Sequence, residues 1–98
     1  MEVVMSIETR NLQKAKDVLL KDDVVSRASI VFKEASAYGG KTGQYYCYVS
    51  GLDEQCKRAL EIAKDLVKEV KDKERESIIK KIKEEENQAS EAFGGIFG

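Results

Sequence analysis

Between Gln44 and Val70 the chain changes its apolar period at a single glycine, and no other feature of the sequence constrains the fold as much. Through "QYYCYVS" (44–50) the side chains alternate, with Tyr45, Cys47 and Val49 on one face and Tyr46, Tyr48 and Ser50 on the other. That is the two-residue period of a strand. Gly51 ends it. From Leu52 onward the apolar positions recur at three and four: Leu52, Cys56, Ala59, Leu60, Ala63, Leu66, Val67 and Val70. This stripe predicts an amphipathic helix with one buried side. A strand leading directly into such a helix calls for a layered arrangement of sheet and helices.

The rest of the chain supplies the other layers. "EVVMSIE" (2–8) alternates, placing Val3, Met5 and Ile7 together, and reads as a strand. "TRNLQKAKDVLLKDD" carries Leu12, Ala15, Val18 and Leu19 at helical spacing, with Thr9 or Asn11 as candidate caps. Residues 24–36 alternate again, with Ala28, Ile30 and Phe32 on one face. Beyond Val70 the charged run "KDKERES" either continues the second helix or bends. A third helical run follows, with Ile78, Ile79, Ile82 and Ala89 apolar.

The expected order is β-α-β-β-α-α, an α+β fold with a small antiparallel sheet and helices on one face. With no internal repeat or linker, residues 1–98 read as one domain. Its core is 1–73, and 74–98 form a charged C-terminal helix and an apolar tail. The first five elements, and above all "YYCYVSGLDEQCKRALEIAKDL", resemble the start of a ferredoxin-like β-α-β-β-α-β unit. The resemblance is to an architecture over about two thirds of the chain and implies no function. On this reading the fourth strand is missing, replaced by the charged helix.

Composition excludes several functions. There is no histidine among the 98 residues, so Ser-His-Asp and Cys-His nucleophile systems and imidazole metal ligands are out. No catalytic, cofactor-binding or metal-ligating set is expected. Seventeen basic residues against 18 acidic give a net charge of −1, against the basic excess of a protein that binds nucleic acid through phosphates. No apolar run approaches the ~20 residues of a membrane span, and "MEVVMSIE" is acidic and strand-like rather than a signal peptide. The expected location is cytoplasmic. Charged residues make up 36% of the chain, above the usual quarter or so, and the Lys and Glu among them lean toward a heat-adapted source.

"YGGKTG" (38–43) contains the end of a phosphate-binding loop, Gly40-Lys41-Thr42, but Ala35 stands where the leading glycine belongs. A strand also follows where that loop needs a helix N-terminus. The stretch reads instead as the connection of a β-hairpin. Lys41 on this tip is a candidate contact for an anionic ligand or partner.

Tyr46 and Tyr48 stand on the sheet face opposite Cys47 and Val49. Three readings compete for them. An RNA-stacking platform is opposed by the order of aromatics in "TGQYYCYV" and by the net charge. A subunit interface suits tyrosine, which buries much area yet keeps a polar tip. In the third, the last helix folds back over them or they stand singly in water. The edge near the first strand is expected to be unpaired, or covered by the third helix or the tail. Phe93, Ile96 and Phe97 put three large apolar groups within five residues, so the tail either packs on its own domain or docks on a partner. Cys47 and Cys56 read as core residues, with a disulfide or reactive thiol as the alternative.

The expected function is a self-associating interaction or structural module, a homo-oligomer with Tyr46, Tyr48, Phe93, Ile96 and Phe97 as candidate interface. A further protein partner for the tail is also considered. The alternative is a small-molecule-binding regulatory domain of ferredoxin-like, ACT-like architecture.

Overall fold

A computed structural model describes residues 1–97, with side-chain surroundings described through Glu86. Four strands, β1 (Glu2–Glu8), β2 (Ser29–Glu34), β3 (Gln44–Ser50) and β4 (Lys68–Val70), form one antiparallel sheet in the order β2-β3-β1-β4. Three α-helices, α1 (Thr9–Lys21), α2 (Asp53–Ile62) and α3 (Asp72–Phe97), complete the α+β domain. No helix among the described residues is long and apolar enough to cross a membrane.

β1 and β3 occupy the centre because they carry apolar side chains on both faces. Met5 lies opposite Cys47 and Val3 opposite Val49, and all four join Ile7, Ala15, Leu19, Val25, Cys56, Ala59 and Ala63 in a core beneath α1 and α2. Ile30 and Phe32 pack at the margin of the same core. On the reverse face Val4, Tyr46, Tyr48 and Val70 pack with Ile78 and Ile82 of α3, and with Ala35 and Tyr38. Ile78 and Ile82 are 2% and 1% exposed. Each such burial is worth about 1.5–3 kcal/mol, enough to hold α3 on the sheet.

Two expectations are therefore corrected. The sheet has a fourth strand, and helices cover both of its faces. The apolar stripe from Leu52 is helical only to Ile62. Beyond it the amides of Leu66 and Val67 donate to the Ala63 carbonyl, at 2.8 and 3.1 Å, and tighten the turn. Residues 68–70 then pair with 4–6 of β1. Val67 and Val70 fit a helical spacing as well as a strand, and a three-residue strand with one buried side chain leaves almost no period to read. Asp72, at φ +59°, is where the chain leaves β4. This left-handed conformation is tolerated by Asp better than by most residues, and α3 begins there.

β2 is shorter than the 24–36 alternation suggests, being flanked by 3₁₀ turns at Val25–Arg27 and Ala35–Tyr38. Neither Thr9 nor Asn11 caps α1. Glu8 precedes its first turn without a side-chain cap bond, and β1 runs straight into the helix.

Candidate functional site

The reverse face of the sheet carries the densest polar chemistry. Three tyrosine hydroxyls emerge at the margin of the apolar layer beneath α3, and each meets a carboxylate. Tyr38 donates to Glu85 at 2.6 Å, Tyr46 to Glu74 at 3.4 Å, and Tyr48 to Glu2. Lysines close two of these pairs: Lys33 lies 3.5 Å from Glu85, and Lys83 lies 3.1 Å from Glu2. Glu74 and Glu85 come from α3 itself. Glu74 precedes Ile78 by four residues and Glu85 follows Ile82 by three, so both flank the buried isoleucines on one helix face.

Burial, with the facing carboxylates, pushes the hydroxyls of Tyr38 and Tyr48 up to about 12 and raises that of Tyr46. The bond from Tyr48 holds Glu2 below the usual carboxylate range, and the bond from Tyr38 does the same for Glu85. At neutral pH these tyrosines are protonated and Glu2 and Glu85 ionised. Such groups hold a helix in place and offer no proton exchange near neutrality. Burial also pushes the Cys47 thiol up to about 12 and raises that of Cys56. Both cysteines are free and fully buried, Cys56 Sγ lying 3.4 Å from the Met1 carbonyl oxygen. They are core thiols rather than nucleophiles. No group of three or more metal-ligating side chains occurs among the described residues.

Tyr46 and Tyr48, expected as interface candidates, lie beneath α3 of their own chain at 3% and 5% exposure. Their contacts match the expectation that the last helix folds back over them. Phe93, Ile96 and Phe97 fall on residues whose side chains lie outside the described ones. Lys41 stands exposed on the β2–β3 connection. That connection is built for turning. Gly39 and Gly43 have φ of +82° and +84°, conformations that glycine adopts without a Cβ penalty. Gly40 has a different reason to be glycine: a Cβ there would run into the Tyr46 hydroxyl and lie 2.9 Å from Ala35 Cβ. Gly40 makes room for a buried tyrosine.

Sequence reasoning missed Tyr38 and the carboxylates that meet the hydroxyls. Glu85 belongs to the run Glu84-Glu85-Glu86, which reads as solvated, and only its spacing from Ile78 and Ile82 marks it as facing the sheet. A second ionic clamp was also unforeseen. Arg58 of α2 donates through Nε to both carboxylate oxygens of Asp22 at 2.9 Å. Asp22 Oδ1 also accepts the Val24 and Val25 amides at 3.0 Å, so one carboxylate fixes the end of α1, the following turn and α2 together.

The sheet edges differ. On the β1 side β4 covers residues 4–6, and beyond it Arg75 Nη1 donates to the Glu2 carbonyl at 3.3 Å. That edge is closed by a short strand and a side chain. On the other side β2 pairs with β3 alone, and no strand among the described residues lies along its outer edge. Its middle residues Ile30, Val31 and Phe32 are half-buried. An open cleft of about 740 Å³ borders α3, with Met1 and Ile79 as apolar lining, Arg75, Lys80 and Lys83 as its cations and Glu2, Glu76 and Glu84 as its carboxylates.

Compared with protein-family models, curated proteins and solved structures, the chain matches none.

Proposed function

We propose that this protein is a self-associating interaction module rather than an enzyme, and that it joins a second copy of itself through the β2 edge. The observation that carries the reading is the contrast between the two edges. One is closed by β4 and Arg75, while the other presents six residues of strand whose centre is Ile-Val-Phe. Exposed apolar edges template pairing with another chain unless they are short, bulged or charged. The two charged residues of β2 lie at its end, Lys33 leaning toward Glu85 of α3 and Glu34 accepting from the Tyr45 hydroxyl of β3. The strand order, with α1 and α2 over one face, supports reading residues 1–70 as a ferredoxin-like β-α-β-β-α-β unit, to which α3 adds a cover for the second face. That cover removes the sheet face as a docking surface and leaves the edge. Phe93, Ile96 and Phe97 remain candidate contributors, tested by a chain ending at Ala92.

A midpoint of thermal unfolding that rises with protein concentration supports the reading, because association stabilises by mass action. A midpoint independent of concentration contradicts it.

A second reading, a small-molecule-binding regulatory domain, is favoured by the cleft beside α3. Its volume lies in the range of ligand sites, and its apolar lining with three cations and three carboxylates suits a small amphipathic zwitterion. Saturable thermal stabilisation by such compounds, abolished in Lys80→Ala, would support it.

A further inference from the structure

The polarity of β2 is a palindrome. Around Val31 lie Ile30 and Phe32, both apolar, and outside them Ser29 and Lys33, both polar. Resting on the self-association reading above, we propose that two copies pair their β2 strands antiparallel about a two-fold axis through Val31. The partner is thus a second copy of this chain in one defined register.

Geometry limits the choices. A two-fold axis perpendicular to the sheet keeps each face on its own side, and directly opposed residues in an antiparallel pair share a face. Opposed positions must then both be odd or both be even. Three registers bring the apolar centres together, with the axis at Ile30, Val31 or Phe32. An axis at Ile30 pairs only residues 29–31 within the strand and sets polar Ser29 against the partner's Val31. An axis at Phe32 sets Ile30 against the partner's Glu34 and Val31 against the partner's Lys33. Over residues 29–33 only the axis at Val31 opposes apolar to apolar and polar to polar: Ile30 to the partner's Phe32, Val31 to the partner's Val31, and Ser29 to the partner's Lys33, with Glu34 meeting the partner's Ala28 just outside its strand.

The arrangement extends features already present. Ile30 and Phe32 border the core beneath α1 and α2, and Val31 borders the layer beneath α3. Both layers would continue across the axis. Two four-stranded sheets would become one of eight strands, within the usual range.

Cysteine placement reads the register directly. In the full chain, Val31→Cys is expected to form a covalent dimer under mild oxidation, because the two sulfurs meet at the axis within disulfide reach. Ile30→Cys, whose self-pairing belongs to another register, is expected to cross-link far less. Cys47 and Cys56 are buried and do not compete. Exposed Ser29 provides a second readout that leaves the core intact. Ser29→Lys faces the partner's Lys33 twice per dimer and is expected to weaken association by roughly two- to thirtyfold, with Ser29→Glu tightening it. A chain that self-associates but cross-links faster through Ile30→Cys than Val31→Cys overturns the register while leaving self-association standing. So does one that is indifferent to both Ser29 substitutions. A chain that stays single at every concentration overturns both, including the case where a foreign strand occupies the edge.

Discussion

The Tyr38 hydroxyl donates to the Glu85 carboxylate at 2.6 Å, joining the turn after β2 to the middle of α3 across 47 residues of sequence. With the bond from Tyr46 to Glu74 it seats α3 on the sheet, and Lys83 of α3 adds an ion pair to Glu2 of β1, which accepts from Tyr48. The tyrosine bonds have a consequence at alkaline pH. The folded hydroxyls of Tyr38 and Tyr48 lie near 12, against an ordinary value of 10. Above pH 10 the unfolded chain therefore loses these protons first. Their contribution to stability is complete below pH 10 and is lost as pH rises toward 12. Denaturant unfolding from pH 9 upward should show a steeper fall in the wild type than in the double variant Tyr38→Phe, Tyr48→Phe. Equal slopes would mean that these hydroxyls are not held by the fold.

Asp22 titrates in the opposite sense. Arg58 and the Val25 and Val24 amides hold its carboxyl well below the usual range. The stability it contributes is present above its unfolded value of about 4 and declines as pH falls below that. Asp22→Asn keeps the shape but loses the ionic partner. It should unfold at lower denaturant concentration at pH 7, with the difference from wild type shrinking by pH 2. A constant difference at both pH values would mean that charge is not the cause.

Much of this was legible in the sequence, for reasons specific to particular residues. β1 and β3 show in full because seven-residue alternation at 2–8 and 44–50 leaves only one way to sort the side chains between faces. The partition of Cys47 and Val49 from Tyr46 and Tyr48 follows from it. β4 was not legible, because Lys68 and Glu69 are exposed and Val70 alone is buried. The coverage of the second face was not legible either, because α3 presents only Ile78 and Ile82 as fully buried anchors among its described side chains. The same pattern suits a helix resting on a foreign surface. The hydroxyl–carboxylate pairs join residues 28 to 47 apart, and no local pattern encodes partners at that range.

Gly40 and Tyr46 should behave as a coupled pair. Gly40→Ala drives a methyl group into the Tyr46 hydroxyl and is expected to cost about 1–3 kcal/mol by overpacking. Tyr46→Phe removes the colliding oxygen, so the double variant should recover part of that loss. Gly43→Ala meets no atom within 4 Å. Its cost should come from its left-handed backbone alone, about 1 kcal/mol. A thermodynamic cycle from urea unfolding measures both, and strict additivity at 40 and 46 would contradict the contact.

Ile82 tests whether α3 belongs to the fold. Truncation to Ala removes a fully buried side chain from between α3 and the sheet and should cost about 2–5 kcal/mol. It should also expose Tyr46 and Tyr48 to solvent perturbation of their near-ultraviolet absorbance. A loss below ~0.5 kcal/mol, typical of surface positions, would place the helix elsewhere.

The most direct test of the account is the mass in solution, by light scattering, of the full chain beside its Ser29→Lys variant. The expected result is twice the 11.0 kDa of the chain for the wild type, with the variant shifted toward a single chain at the same concentration. A wild type that remains at 11.0 kDa up to the highest concentration reached would contradict self-association. A dimer that Ser29→Lys does not weaken would move the interface away from the β2 edge.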